Sequence, residues 1–214
     1  GKLNVAGLSL NKAIDLIENK ISQTFIGVEA YVTLSEVRDV QIIMSGNVYN
    51  PGSYTLNGNS NIFHALSVSG GPSENGSFRS IDLVRNNTKI ETVDLYDTFI
   101  YGRPSFNTRL RSGDLIFVNA VENIVSSAGA VKRPGSYEVQ NDEKLSNILI
   151  FSNGLRADAD LGNIKLERIL DGAIKFLPIQ NISQFDDITA NDQDRILIRR
   201  YPFRTINVVG SVIN

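Results

Sequence analysis

Gly46-Asn47-Val48-Tyr49-Asn50-Pro51-Gly52-Ser53-Tyr54 returns downstream as Gly129-Ala130-Val131-Lys132-Arg133-Pro134-Gly135-Ser136-Tyr137. A third start, Gly210-Ser211-Val212-Ile213-Asn214, follows at nearly the same spacing. A long, fixed period marks one folding unit used repeatedly. Val40, Ile42 and Met44 alternate ahead of the first copy, as a strand does. Pro51 removes a backbone donor and fixes φ, so the strand ends or turns there. Pro followed by Gly favours a type II turn, whose second central position needs positive φ. Ser53-Tyr54-Thr55-Leu56 reads as the returning strand. Each copy is expected to be a β-hairpin with Gly52 and Gly135 at positive φ. On that basis Gly135→Val is expected to cost about 1–3 kcal/mol.

The rest of the unit keeps the register. Asn61-Ile62-Phe63-His64-Ala65-Leu66-Ser67-Val68-Ser69-Gly70 and Leu145-Ser146-Asn147-Ile148-Leu149-Ile150-Phe151-Ser152-Asn153-Gly154 both read as a short helix stopped by glycine. Ile81-Asp82-Leu83-Val84-Arg85 returns at the same offset as Ile164-Lys165-Leu166-Glu167-Arg168. Each alternates as a half-buried strand does. A second strand follows, over Lys89 to Leu95 and over Ala173 to Ile179. Ser112-Gly113-Asp114-Leu115-Ile116-Phe117-Val118 corresponds to Asp192-Gln193-Asp194-Arg195-Ile196-Leu197-Ile198. One unit repeated in sequence predicts one unit repeated in space, with Ile81, Leu83 and Val84 overlying Ile164, Leu166 and Glu167.

The order G-x-V-x-x-P-G-S-Y, short helix ending in Gly, I-x-L-x-R, then G-D-x-I-x-V resembles the soluble-ligand-binding β-grasp (SLBB) domain. More closely, it resembles the bacterial outer-membrane polysaccharide export proteins, which carry such domains in tandem behind an export domain. The resemblance covers nearly the whole chain. It implies an α+β fold of tandem β-grasp-like repeats after a small α/β remnant. Residues 1–37 would be the C-terminal remnant of a preceding export domain, helix plus strand. Residues 38–120 and 121–201 would be the two SLBB repeats, and 202–214 the first strand of a truncated third. Repeat two departs in having Asn153 where Gly70 stands and Gln193 where Gly113 stands, changes that touch turns.

Composition bounds the chemistry. The 214 residues divide into two units of a size that usually folds alone. A formal net charge of −2, from 21 Lys+Arg against 23 Asp+Glu, supplies no basic field for nucleic acid or anionic lipid. There is no cysteine, which excludes disulfides, thiol catalysis and cysteine zinc sites within this stretch. No apolar run approaches the roughly 20 residues that span a bilayer, so direct membrane insertion is not expected. The opening Gly1-Lys2-Leu3-Asn4-Val5-Ala6-Gly7 reads as the tail of an earlier strand. A secretion signal or lipid anchor would then lie upstream. Thr205 to Val212 is expected either to fray or to serve as a borrowed edge strand.

Residues 8–25 form the strongest helix pattern, with Leu10, Ala13, Ile14, Ile17 and Ile21 on one stripe and Phe25 extending it. Ser9 is placed to cap it. The mixed charges Asp15, Glu18 and Lys20 opposite the stripe favour packing on a core over lying on a membrane. Val28, Ala30, Val32 and Leu34 alternate as a half-buried strand, and the whole module is expected to pack against repeat one. Gly70 to Ser77, rich in glycine, is the expected mobile tip.

Candidate chemistry is sparse. Tyr96 to Leu110 is longer than its counterpart in repeat two. It interleaves Tyr96, Phe99, Tyr101 and Phe106 with Arg103 and Arg109, and Arg111 follows. Tyr96, Tyr101, Arg103, Phe106 and Arg109 are the candidate glycan contacts. Aromatics mostly serve cores, so a loop plug over the sheet is the competing expectation. His64 is the one histidine, which leaves no two-His metal pair and one imidazole base without an orienting partner. It is expected at a surface or cap position. Asp158-Ala159-Asp160 lacks the Gly and Glu frame of a calcium loop. Asp186, Asp187, Asp192 and Asp194 read as turn and cap residues. Asn75-Gly76-Ser77, Asn86-Asn87-Thr88 and Asn181-Ile182-Ser183 match the glycosylation triplet, by chance in a bacterial chain. Gly46, Pro51, Gly52, Gly129, Pro134 and Gly135 are read as structural motif residues. No catalytic, cofactor or metal residue is assigned, and no cofactor is expected.

Two functions from different classes fit. By resemblance, the chain is a non-enzymatic periplasmic part of an oligomeric conduit exporting capsule or exopolysaccharide at the outer membrane of a Gram-negative bacterium. Its partners would be the polysaccharide, further copies of itself and an inner-membrane polysaccharide co-polymerase. Alternatively, each unit binds a soluble glycan or small ligand as a module of a surface or adhesion protein. A glycan-modifying enzyme is a distant third. In the first case hydrolase activity is not expected, and binding of short oligosaccharides should be weak.

Overall fold

After α1 (Leu10–Thr24), the same succession of elements runs twice in the computed structural model, which describes residues 2–33, 38–104 and 106–202. The first pass is β1 (Val40–Gly46), β2 (Gly52–Leu56), α2 (Ile62–Ser69), β3 (Gly76–Arg85), β4 (Thr88–Val93), α3 (Leu95–Phe99) and β5 (Leu115–Ala120). The second is β6 (Asn123–Gly129), β7 (Gly135–Val139), α4 (Leu145–Phe151), β8 (Ala159–Leu170), β9 (Ala173–Ile179), a 3-10 turn (Ile182–Asp186) and β10 (Arg195–Arg200). The sheets order as β2-β1-β5-β3-β4 and β7-β6-β10-β8-β9, one topology in both. β1 lies parallel to β5 and β6 parallel to β10, while the other neighbours are antiparallel. Ile81 and Leu83 face Val118 and Ile116; Ile164 and Leu166 face Ile198 and Ile196. The sequence period is therefore a spatial repeat, in register strand for strand.

Each sheet buries its alternating apolar face against one helix. Ile42, Met44, Ile81, Leu83, Ile116 and Val118 meet Ile62, Ala65 and Leu66 of α2 in the first core. Val125, Ile164, Leu166, Ile196 and Ile198 meet Leu145, Ile148 and Phe151 of α4 in the second. His64 sits third in α2, where it and Asn61 bond each other's backbone N–H, Nδ1 at 3.2 Å and Oδ1 at 3.2 Å. Asn147 accepts the Lys144 N–H in the same way at 2.9 Å. Both helices thus start on a side chain that reaches back, and His64 is a capping residue.

The hairpins form as expected, but not through a type II turn. Gly52 does have positive φ, but at 154° it is far from the roughly 80° of that turn. Gly135 is not at positive φ. Asn47 to Pro51 separate β1 from β2 as a loop, and its donors bond elsewhere. Tyr49 N and Asn50 N donate to Gly71 O and Ser69 O at the end of α2. Lys132 N and Arg133 N donate to Gly154 O and Ser152 O in repeat two. The last Tyr of each nonapeptide ties the loop, Tyr54 Oη donating to Asn50 O and Tyr137 Oη to Arg133 O. The first glycine is the constrained one: Gly46 has φ of 79° and Gly129 of 86°. A Cβ on Gly135 would meet only the Tyr137 ring end at 3.9 Å, so the cost expected for Gly135→Val is withdrawn.

The two departures in repeat two keep the backbone they inherit. Asn153 holds φ of 59° against 85° at Gly70, and Gln193 holds 63° against 89° at Gly113. A non-glycine residue pays roughly 1–2 kcal/mol there. Gln193→Gly is accordingly expected to stabilise repeat two by about 1 kcal/mol. Urea unfolding of the pair of proteins measures it, and an unchanged or lower midpoint would refute it.

Four further expectations are corrected. No residue of α1 is buried, and Ser9 at its N-cap makes no side-chain bond. Neither core includes any residue from 2–33, so the apolar stripe is not packed on repeat one within the described residues. Residues 26–33 form no strand; Val32 N instead donates to Glu18 Oε1 at 3.2 Å. An amphipathic stripe selects a helix but not the surface that covers it. The glycine-rich stretch after α2 is strapped rather than a loose tip. Ser73 N donates to Asn47 O, Gly76 N donates to Ser73 O, and Ser77 is buried. The expectation for Thr205 to Val212 lies outside the described residues.

Candidate functional site

In each repeat the aspartate just before the last strand meets the arginine of the I-x-L-x-R motif. Asp114 and Asp194 are buried to 0% and 1% exposure. Arg85 grips Asp114 in a two-point bond, 2.7 Å from Nε and 2.7 Å from Nη2. Arg168 grips Asp194 likewise at 2.8 and 2.6 Å. Each carboxylate also accepts a turn N–H from just before it, that of Arg111 or Asn191. Each arginine spends a further donor on the carbonyl of Arg109 or Thr189. Asp194 is thus a turn-capping residue, as its surroundings suggest, and also half of a buried ion pair, which they do not. This geometry is structural, since it pairs and hydrogen-bonds each buried carboxylate.

Of the five candidate contact residues, Tyr96 turns inward. With Ile100 it packs against the second core. Its ring meets Phe151 edge-on at 5.1 Å, and its hydroxyl oxygen accepts the Glu138 N–H at 2.9 Å. Burial pushes its hydroxyl up to about 12. Tyr96 is therefore a plug between repeats, as the competing expectation had it. Arg109 keeps its side chain at the surface while its backbone bridges Asn61. Phe106 stacks on Phe63 at 5.1 Å and leans on the first core. Tyr101 is 39% exposed, with the Arg103 guanidinium 5.7 Å from its ring centre. Phe63, which the helix pattern of α2 did not single out, meets Phe99 of this segment with centroids 6.5 Å apart.

Next to Tyr96 lies a joint that no motif announced. Arg79 of β3 is 6% exposed. Its Nη1 and Nη2 reach Glu143 of repeat two at 2.6 and 2.9 Å, and its Nε reaches Asp94 at 3.0 Å. Nη1 also donates to Glu138 O at 3.2 Å. The guanidinium lies 4.8 Å from the Tyr96 ring centre and 5.3 Å from that of Phe151. The Glu138 carboxylate returns the link, accepting from Ser77 Oγ and from Phe78 N. Burial pulls the Arg79 pKa down, but the Glu143 hydrogen bond and the Asp94 charge outweigh it and hold it above the ordinary value. Burial raises the Glu138 and Asp94 carboxyls. The equivalent position in repeat two is Gly162, so this arginine is the detectable departure from the repeat.

Beside the joint, the two repeats wall a polar groove of about 700 Å3. Asp82, Lys89, Thr92, Asn119, Asn123 and Gln140 line it. Amides, hydroxyls and carboxylates of this kind suit a hydroxyl-rich ligand. Elsewhere, Asp158 faces Arg156 at 2.9 Å and Arg200 at 3.9 Å, an arrangement of ion pairs rather than a cation cage. Among the described residues no helix is long and apolar enough to cross a membrane.

The SLBB domain model matches residues 41–94 and 125–174, each region beginning in the first strand of a sheet. Two polysialic acid transport proteins KpsD of Escherichia coli are similar, 27% and 26% identical over 140 residues. Those alignments cover 64% of this chain and 25% of each relative, so the chain corresponds to about a quarter of their length. With two matched regions, one strand order and one Asp–Arg pair in each sheet, the chain carries two SLBB domains in tandem, and over 140 residues it is similar to bacterial polysaccharide transport proteins.

Proposed function

We propose that this chain is a non-catalytic periplasmic segment of an outer-membrane polysaccharide export protein whose copies assemble around the exported polymer. The similarity to transport proteins over 140 residues, within a tandem of SLBB domains, carries this reading. In it, residues 1–37 close a preceding export module, 38–120 and 121–201 are the two SLBB units, and 202–214 open a further one. An inner-membrane polysaccharide co-polymerase would be the partner on the periplasmic side. A conduit must let a polymer slide, so entry must be favourable and no single site too tight, as in ion pores. Affinity then comes from many weak contacts summed over a ring. The Arg79 joint supports this use, because a fixed angle between SLBB units is what stacking of identical copies requires.

The test is the full-length protein in detergent, sized by native mass spectrometry, together with surface polysaccharide in cells lacking residues 38–201. A closed oligomer and loss of surface polymer are expected. A monomer, or unchanged surface polymer, would overturn the proposal. The polar groove favours a second reading, a module that binds soluble glycan. Calorimetric titration with defined capsular oligosaccharides separates the two, since a micromolar one-to-one isotherm belongs to the second.

A further inference from the structure

We infer that the insertion closing repeat one is a contact platform for an acidic polysaccharide. The inference rests on the export reading and names the charge class of the polymer.

The two repeats close differently although their folds agree. The stretch from Asp94 to Asp114 is longer than its counterpart from Asn181 to Asp194. The shorter segment packs its one aromatic, Phe185, into the core. It carries Asp186, Asp187 and Asp192 and no Lys or Arg. The longer segment holds Arg103, Arg109 and Arg111 against one carboxylate between its ends, Asp97. The same sheet therefore closes without the insertion; packing accounts for Tyr96 and Phe106, but not for the exposed rings of Phe99 and Tyr101 or for the charge.

The insertion places two of its rings at the surface, beside one from α2. Phe99 is 53% exposed, Tyr101 39% and Phe63 36%. Phe106 stacks under Phe63 at 5.1 Å with planes 16° apart, and Phe99 stands edge-on beside it. The bridge between Asn61 and Arg109 sets Arg109 against the start of α2, close to Phe63. Among the described residues none of the three arginines has a carboxylate within ion-pair distance. The carboxylates at the ends of the insertion are committed, Asp114 to Arg85 and Asp94 to Arg79.

A chain of acidic sugars fits this chemistry. The negative ring faces attract the C–H face of a pyranose. Guanidinium forks bind carboxylates at two points. Three cations on a chain of net charge −2 are too few for nucleic-acid binding, which needs many phosphate contacts.

The experiment follows backbone amide signals of the 214-residue chain by NMR during titration with hexagalacturonate, and with maltohexaose as the neutral control. Hexagalacturonate is expected to move the signals of Phe63, Phe99, Tyr101, Arg103 and Arg109, with Kd weaker than about 0.1 mM. Maltohexaose is expected to leave them in place. Arg103→Ala and Phe99→Ala, both at exposed positions, should each weaken binding at least about fivefold with the remaining spectrum intact. Several outcomes would overturn the inference: no movement with hexagalacturonate, equal movement with maltohexaose, or movement confined to other residues. So would movement with protein concentration alone, which would assign the surface to a second copy, or binding that survives Arg103→Ala. None of these touches the assembly of the full-length protein, so the export reading is tested separately.

Discussion

Arg79→Ala should lower the stability of the chain by about 3–5 kcal/mol and separate the unfolding of the two repeats. The loss is large because the half-buried partners are left without their cation when the guanidinium goes. Glu143 loses two charge-assisted bonds, Asp94 loses one, and the Glu138 carbonyl loses its donor. The rings of Tyr96 and Phe151 lose the cation beside them. The parent should unfold in one transition over residues 38–202 and the variant in two, read by calorimetry. Arg79→Lys should fall between them, since an ammonium cannot span Glu143 and Asp94 as a fork does. A variant that melts once, at the parent midpoint, would show that the joint couples nothing.

Gly129→Ala is expected to cost more than about 4 kcal/mol, beyond the range of ordinary substitutions. A Cβ there would stand 2.0 Å from Ile198 O, and the residue already sits at φ of 86°. The obstacle is backbone of β10, so no side chain can swing away, and the parallel β6–β10 pairing must part. Gly46→Ala meets Val118 O at 2.2 Å and should do the same to repeat one. Gly135→Ala, whose Cβ would touch only the end of the Tyr137 ring, should cost less than about 1 kcal/mol. Circular dichroism with urea ranks the three, and equal midpoints for Gly129→Ala and Gly135→Ala would refute the assignment.

That contrast shows where the sequence was legible. That both sheets share one strand order followed from the period, because Ile81-Leu83 and Ile164-Leu166 can bury only one face each. The cap role of His64 followed from Asn147 standing in its place. The turn did not follow, because Pro-Gly fits both a tight turn and a loop whose donors are taken by a helix end. Asp194 was half legible: a carboxylate beside a turn reads as a cap, and nothing local tells that Arg168 lies over it. The Arg79 joint was illegible for a simpler reason. Its partners Glu138 and Glu143 lie in the other repeat, far along the chain, and no local pattern links them. Comparing the repeats position by position, with Gly162 against Arg79, is the signal that finds it. In the candidate site, Tyr101 and Arg103 stayed at the surface. Tyr96 did not, because its position in α3 faces the next repeat's core.

The parallel pairing of β1 with β5, and of β6 with β10, has a mechanical consequence. Parallel strands at the two ends of a unit put its entry and exit at opposite ends of the sheet. Tension applied between Val40 and Ala120 therefore slides β1 along β5 and strains their hydrogen bonds together instead of peeling them singly. Only Val121 and Glu122 separate β5 from β6, so the same pull passes to the next pair with almost no slack. The tandem is thus built as two shear-resisting links in series, a form suited to a chain held under strain between fixed points.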